Sequence, residues 1–195
     1  MKLTILLSSM ILSYLLPIGC VGYYYDPEKN DSISSILNMP ECQMTILTGM
    51  VAMGCFTLWY EWERGSIPSF ITIVFVLIGI YGVILIKEDT IIHYLFGGLI
   101  FFGMIVFMGI HYHIFPNKII VGGIFTVHSI CSLVLIAQCI MNCDIFLCEV
   151  ALVLNFAVYY LYLHYLTVSS DKKDESEKDG SDNQVCSDVN RSSVS

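Results

Sequence analysis

Long uncharged stretches are the dominant pattern of this chain. Charged side chains are absent from 3–25, 43–60, 65–86, 90–117 and 119–143, and 145–170 contains only Glu149. Each stretch has the roughly 20 residues that a helix needs to cross the hydrocarbon core of a bilayer. Turn formers and charged residues separate six predicted spans, at about 4–22, 43–61, 68–86, 91–112, 119–141 and 145–167. The pattern predicts an all-α polytopic membrane protein, a bundle of six transmembrane helices, over residues 1–168.

Composition supports this class and argues against others. The chain has 195 residues, of which 56% are hydrophobic and 13% charged, and its mean hydropathy is +0.72. A soluble domain of this size could not bury so much apolar surface. The net charge of −8 provides no basic face for nucleic acid. Six spans leave no room for a soluble catalytic domain, so any function must lie in the bundle, the short loops or the tail.

Common metal- and cofactor-binding patterns are missing from the sequence. It contains no Gly-rich phosphate loop, no Cys-x-x-Cys pair and no His-Glu-x-x-His motif. His111 and His113 stand about 200° apart around a helix, so they cannot bind one metal ion from a regular helix. We therefore expect neither a metal nor another cofactor.

The distribution of Lys and Arg predicts the orientation in the membrane, because short loops rich in these residues stay in the cytosol. With the amino terminus inside, Lys29 and Lys87 fall on the lumenal side and the other seven on the cytosolic side. Both termini are then cytosolic, and the loop at 23–42 is lumenal. One alternative stays open: the first segment could be a signal peptide cleaved after Cys20-Val21-Gly22, which would leave five spans with the later loops on the same sides.

Two segments outside the spans have distinct compositions. Residues 169–195 are rich in Ser, Asp, Glu, Lys and Asn, with no aromatic residue, Leu or Ile, which predicts a disordered acidic cytosolic tail. The lumenal loop contains the sequon Asn30-Asp31-Ser32, which predicts a glycoprotein modified at Asn30. A second sequon, Asn190-Arg191-Ser192, lies in the predicted cytosolic tail, where it would escape modification.

Cysteines near the predicted lumenal ends of the spans are candidates for a disulfide. Cys42, Cys143 and Cys148 lie there, where the environment is oxidising. The sequence leaves open a bond from Cys42 to Cys143 or to Cys148, or free thiols. Cys20, at the end of the first span, is a further candidate partner.

Three polar residues stand at membrane depth: His128, Glu149 and Asn155. Ionisable groups in a membrane usually face the bundle interior or a water-filled cavity, so these residues are the predicted polar lining. Glu149 has an alternative structural role, as a cap at the amino-terminal end of its helix. His128 and Asn155 also have one, as residues that form hydrogen bonds between helices.

Several short motifs follow one another in a characteristic order over about residues 15–170. They are Ile33-Ser34 and Pro40-Glu41 in the lumenal loop, His93 with Gly97-Gly98 at the start of the fourth span, and Cys148-Glu149 at the start of an aromatic-rich last span. In this order they resemble the damage-regulated autophagy modulator (DRAM) family. Related branches of that family act in GPI-anchor lipid remodelling and in phosphoinositide control. The lumenal loop departs from the family pattern at Ser35, Leu37 and the single Pro40.

The resemblance implies a six-span membrane regulator rather than an enzyme. The expected location is a lysosomal or endosomal membrane, with the plasma membrane, Golgi or endoplasmic reticulum as alternatives. It implies modulation of autophagy through membrane lipids or through membrane or cytosolic protein partners, without nucleic acid. The alternative functions are a lipid-remodelling or phosphoinositide-signalling scaffold, and a small transporter or channel.

Overall fold

The computed structural model describes residues 2–26, 28, 32–88, 90–114, 118–141 and 143–192. Within these residues the secondary structure is entirely helical. The seven helices are α1 (Lys2–Tyr24), α2 (Ile33–Leu37), α3 (Pro40–Arg64), α4 (Ile67–Leu85), α5 (Ile91–Ile114), α6 (Lys118–Met141) and α7 (Phe146–Ser192).

Six helices are long and apolar enough to cross a membrane. They are α1, α3, α4, α5, α6 from Ile119, and α7 as far as Ser169. The predicted fold class, all-α with six spanning helices, is confirmed. The feature that the span pattern did not predict is α2, a short helix within the loop at 23–42.

Proline and glycine mark the ends of the central helices. Pro40 and Pro68 lie in the first turns of α3 and α4, where the missing N–H group of proline costs no hydrogen bond. Gly65 ends α3 with φ of 76°, in the left-handed region that glycine adopts without steric penalty. The turn from α3 to α4 is therefore short.

Small residues bring two helix pairs into close contact. The most extensive contacts join α1 to α3 and α4 to α5. A Cβ atom built on Gly49 would lie 2.7 Å from Cδ of Pro17 in α1. One built on Gly79 would lie 2.9 Å from the carbonyl oxygen of Phe96 in α5. Any side chain larger than hydrogen would force these helices apart.

The short helix α2 covers a hydrophobic cluster at the predicted lumenal end. The cluster consists of Ile36, Leu37, Cys42, Ile46, Met50, Val83, Ile84 and Phe146. Tyr25, just after α1, stacks on Phe146 with ring centroids 4.0 Å apart. Over its described residues from Ser32 to Met39, the predicted lumenal loop therefore folds back on the helix ends.

The chain forms two compact units, Met1–Ala157 and Val158–Ser195. The break lies within α7, whereas composition predicts the end of the membrane domain at residue 168. The backbone of α7 is helical as far as Ser192. The disordered cytosolic tail over residues 169–195 stays a prediction.

Candidate functional site

Hydroxyl groups attach the start of α2 to a carboxylate in the α4–α5 loop. The Ser32 hydroxyl donates to Oε1 of Glu88 at 2.5 Å, and the Ser34 hydroxyl donates to the same oxygen at 3.2 Å. Ser32 also caps α2, because its oxygen accepts the backbone N–H of Ser35 at 3.0 Å. Both donor serines are buried. Glu88 therefore fixes the position of the first turn of α2.

A second carboxylate reaches α2 from the first turn of α7. The backbone N–H of Ile33 donates to Oε2 of Glu149 at 2.6 Å. This N–H belongs to the amino-terminal end of α2, where the helix dipole favours a negative charge. We call this group the α2 cap: Ser32, Ile33, Ser34, Glu88 and Glu149.

Amide side chains bind the end of α4 beside the α2 cap. Asn38 donates to the carbonyl oxygen of Val83 at 3.2 Å, and Gln43 donates to that of Ile84 at 2.8 Å. Nδ1 of His93, a buried residue, lies 2.8 Å from the carbonyl oxygen of Ile86 and donates to it. The last carbonyls of a helix have no partner within the helix, so these contacts satisfy the end of α4.

The motif residues on which the DRAM resemblance depends lie in different parts of the structure. Ile33, Ser34 and Glu149 meet in the α2 cap. Pro40 and Glu41 begin α3 and are exposed, and His93 binds the end of α4. The predicted glycosylation residue Asn30 lies outside the described residues.

The two cysteines of the predicted Cys42–Cys143 disulfide lie in different surroundings. Cys42 is buried, and its thiol donates to the carbonyl oxygen of Ile36 at 3.2 Å. Cys143, by contrast, is exposed in the turn before α7. Cys20, Cys42 and Cys143 are all free thiols in this structure, and the Cys42–Cys143 bond stays a prediction.

Two of the three predicted lining residues contact one another inside the membrane-spanning region. Nδ2 of Asn155 lies 3.3 Å from Nδ1 of His128 and donates to the carbonyl oxygen of Ile124 at 3.2 Å. His128 is fully buried, and its Nε2 atom has no hydrogen-bond partner within the part of the chain that the structure describes. The contact joins α6 to α7. Glu149 takes its place in the α2 cap instead.

A second charged cluster lies at the opposite, predicted cytosolic, end of the helices. Nη2 of Arg64 contacts Oε2 of Glu61 at 2.6 Å and Nε2 of His111 at 2.7 Å. The Ser69 hydroxyl lies 3.2 Å from the same His111 nitrogen. Nδ1 of His111 lies 2.8 Å from the carbonyl oxygen of Phe107, so Nδ1 carries the proton and Nε2 accepts. The cluster is fully inside the protein: Glu61 has a side-chain exposure of 0% and Arg64 of 6%.

This cluster was not predicted from the sequence, because charged residues at the ends of the spans were used only to assign the topology. The i,i+3 spacing of Glu61 and Arg64 was the available signal, since residues at this spacing are neighbours on a helix. The burial of the Glu61–Arg64 pair could not be predicted from that spacing.

An apolar groove adjoins the charged cluster at the α3–α4 turn. It has a volume of about 330 Å³ and is lined by Glu61, Trp62, Gly65, Ser66, Ile67 and Phe70. Trp62 and Ile67 are more than two-thirds exposed, at 71% and 72%. Exposed apolar side chains at this level of a membrane protein face the interfacial region of the lipid.

Comparison with known proteins identifies no relative. No protein-family model, curated protein or solved structure matches the chain. Among the residues described, no group of three or more His, Cys, Asp or Glu side chains could hold a metal ion.

Proposed function

We propose that the protein is a DRAM-like integral membrane regulator that modulates autophagy or lysosomal function through a protein or lipid partner. In this proposal it resides in a lysosomal or endosomal membrane, and the α2 cap forms the surface on which the partner depends. It acts by binding rather than by catalysis.

The observation that carries the proposal is the double attachment of α2. A helix of five residues is too short to be stable alone. Carboxylates from two different elements, Glu88 and Glu149, hold it in one position. A loop held by a rigid scaffold in this way is typical of recognition surfaces. Three of the residues on which the DRAM resemblance depends also meet in this cap.

The substitution Glu149→Gln tests the proposal. It keeps an oxygen that can accept the N–H of Ile33 but removes the charge, which weakens the hydrogen bond by about 1 kcal/mol. The matched control is Glu28→Gln, which removes an exposed charge from the loop at 23–42. The readouts are protein abundance, the compartment of a tagged protein, and autophagic flux measured as marker turnover with and without a lysosomal inhibitor.

We expect Glu149→Gln to reach its membrane at normal abundance and to lose its effect on flux, while Glu28→Gln behaves as the parent does. A variant at normal abundance with an unchanged effect on flux would show that the charge has no functional role. A tagged parent protein found outside lysosomes and endosomes would contradict the proposed location separately.

The groove at the α3–α4 turn favours the alternative function, a lipid-remodelling or phosphoinositide-signalling scaffold. Its exposed Trp62 and Ile67 lie beside the buried Arg64–Glu61 pair, so apolar and charged groups adjoin at one site. A photoactivatable phospholipid tests it: crosslinking at Trp62, Ile67 or Phe70 supports a lipid site, and crosslinking spread evenly over all helices speaks against it.

The transporter or channel alternative is favoured by the buried His128–Asn155 contact within the spans. Polar groups at this depth are typical of substrate and ion pathways. Flux of ions or small solutes into liposomes containing the protein, compared with liposomes containing His128→Leu, measures this activity directly.

A further inference from the structure

The register of α1 against α3 brings two cysteines to the same level. The two helices are antiparallel: Nζ of Lys2 contacts Oε1 of Glu63 at 2.7 Å. Further along, the carbonyl oxygen of Ser13 lies 3.3 Å from the Cβ position of Gly49. These contacts show that the helices lie side by side, with a close approach at Gly49.

Cys20 and Cys42 lie about two turns further toward the α2 cap. Gly49 lies between Ser13 and Pro17, whose Cδ atom is 2.7 Å from the same Cβ position. Seven residues make about two turns of a helix and return to the same face. In an antiparallel pair, Cys42, seven residues before Gly49, therefore lies between Cys20 and Tyr24 on the facing side of α1.

Contacts beyond Pro17 agree with this register. Proline inside a helix changes its direction, so the register could in principle be lost between Ser13 and Cys20. However, Cys20 packs against the hydrophobic cluster that contains Cys42.

We infer that Cys20 and Cys42 form a disulfide bond that joins α1 to α3. Both thiols lie at the predicted lumenal end, where the environment is oxidising. Neighbouring positions on closely packed helices are compatible with the Cα separation of about 4.4–6.8 Å that a disulfide requires. The other lumenal thiols are directed elsewhere: Cys148 donates to the carbonyl oxygen of Cys131, and Cys143 is exposed beyond α6.

The oxidant is the disulfide of a thiol–disulfide oxidoreductase of the secretory lumen. The half-buried Cys20 reaches it first: its thiolate attacks one sulfur of that disulfide and forms a mixed disulfide. The Cys42 thiolate then attacks the sulfur of Cys20 and displaces the oxidoreductase. Two protein thiols are oxidised to one disulfide, and the oxidoreductase leaves as a dithiol that has taken up both protons and both electrons.

Bond formation changes the underside of α2. The Cys42 sulfur in a disulfide can no longer donate to the carbonyl oxygen of Ile36. The contacts of Glu88 and Glu149 with the first turn of α2 do not involve Cys42 and are retained. The bond also encloses the loop that carries α2 within a covalent ring.

Mass spectrometry of the full chain tests the bond. Membranes from cells expressing the Cys55→Ser protein are dissolved in denaturant with N-ethylmaleimide and digested with trypsin without reduction. Cleavage after Lys2, Lys29 and Arg64 leaves Cys20 in the peptide 3–29 and Cys42 in the peptide 30–64. Because Cys55 is replaced, each peptide then holds one cysteine.

We expect the two peptides to be linked in most chains and to separate on reduction. The linked species should disappear in Cys20→Ser and persist in the matched control Cys143→Ser. N-ethylmaleimide on Cys20 and Cys42 in the unreduced parent would overturn the inference. So would a bond from Cys42 to the peptide that carries Cys143 or Cys148.

Discussion

The buried ion pair between Glu61 and Arg64 leads to a strong prediction about stability. Replacing Arg64 with Met removes the guanidinium that Glu61 contacts at 2.6 Å and that His111 contacts at 2.7 Å. The methionine retains an apolar stem that can still pack over Phe107, whose ring centroid lies 5.5 Å from Cζ of Arg64. The substitution therefore tests charge and hydrogen bonding more than volume.

The exposure of the pair sets the expected magnitude. Glu61 has a side-chain exposure of 0% and Arg64 of 6%, so water cannot replace the lost partner. Removing one member of a buried pair typically costs about 3–5 kcal/mol. The matched control is Lys2→Met, which breaks the Lys2–Glu63 pair at 2.7 Å, with side-chain exposures of 63% and 26%. Exposed pairs contribute little to stability, because water and salt screen them.

Thermal unfolding of the detergent-solubilised protein, followed by helical circular dichroism, measures both changes. For a chain of this size we expect Arg64→Met to lower the midpoint by roughly 6–20 °C and Lys2→Met by no more than about 4 °C. The double variant Glu61→Met/Arg64→Met should recover part of the loss, because it leaves no buried charge behind. Equal midpoints for Arg64→Met and Lys2→Met would refute the reasoning.

Three other results are expected. A tag after Ser195 should be accessible to antibody after selective permeabilisation of the plasma membrane, because the Lys and Arg bias places the tail in the cytosol; protection of the tag would reverse the orientation. If a glycan is present, Asn30→Gln should abolish its gel shift and Asn190→Gln should not, and the opposite pattern would contradict the topology. Gly79→Ala should destabilise the α4–α5 contact by about 1–3 kcal/mol, whereas Gly98→Ala, whose Cβ meets no atom within 4 Å, should be tolerated; equal thermal midpoints would contradict the close contact.

Local properties of the chain were sufficient to predict the fold class. Whether a stretch can span a bilayer depends on its length and on its lack of charge, and both can be read without knowing its neighbours. The spans from Pro40 and Ile67 also begin close to where turn residues and charges predict. The pairing of His128 with Asn155 was partly foreseeable, because both residues are polar at similar depth.

The α2 cap could not be predicted from the sequence, because it consists of contacts between residues that are distant along the chain. Ile33 and Glu149 are 116 positions apart, and Ser32 and Glu88 are 56 apart. Whether such groups meet depends on the rotation and register of each helix, which uncharged spans do not specify. The first turn of α7 suggested that Glu149 acts as a cap, and the structure shows it at the amino-terminal end of α2.

The same distinction applies to the charged cluster and to the cysteines. The spacing of Glu61 and Arg64 indicates that they are neighbours, but only the packing of His111 against them makes the pair a buried one. The predicted topology places Cys20, Cys42 and Cys143 on the same side of the membrane. The close approach of α1 and α3, which packs Cys20 against the hydrophobic cluster that contains Cys42, depends on how the helices pack and cannot be predicted from the order of residues along each helix.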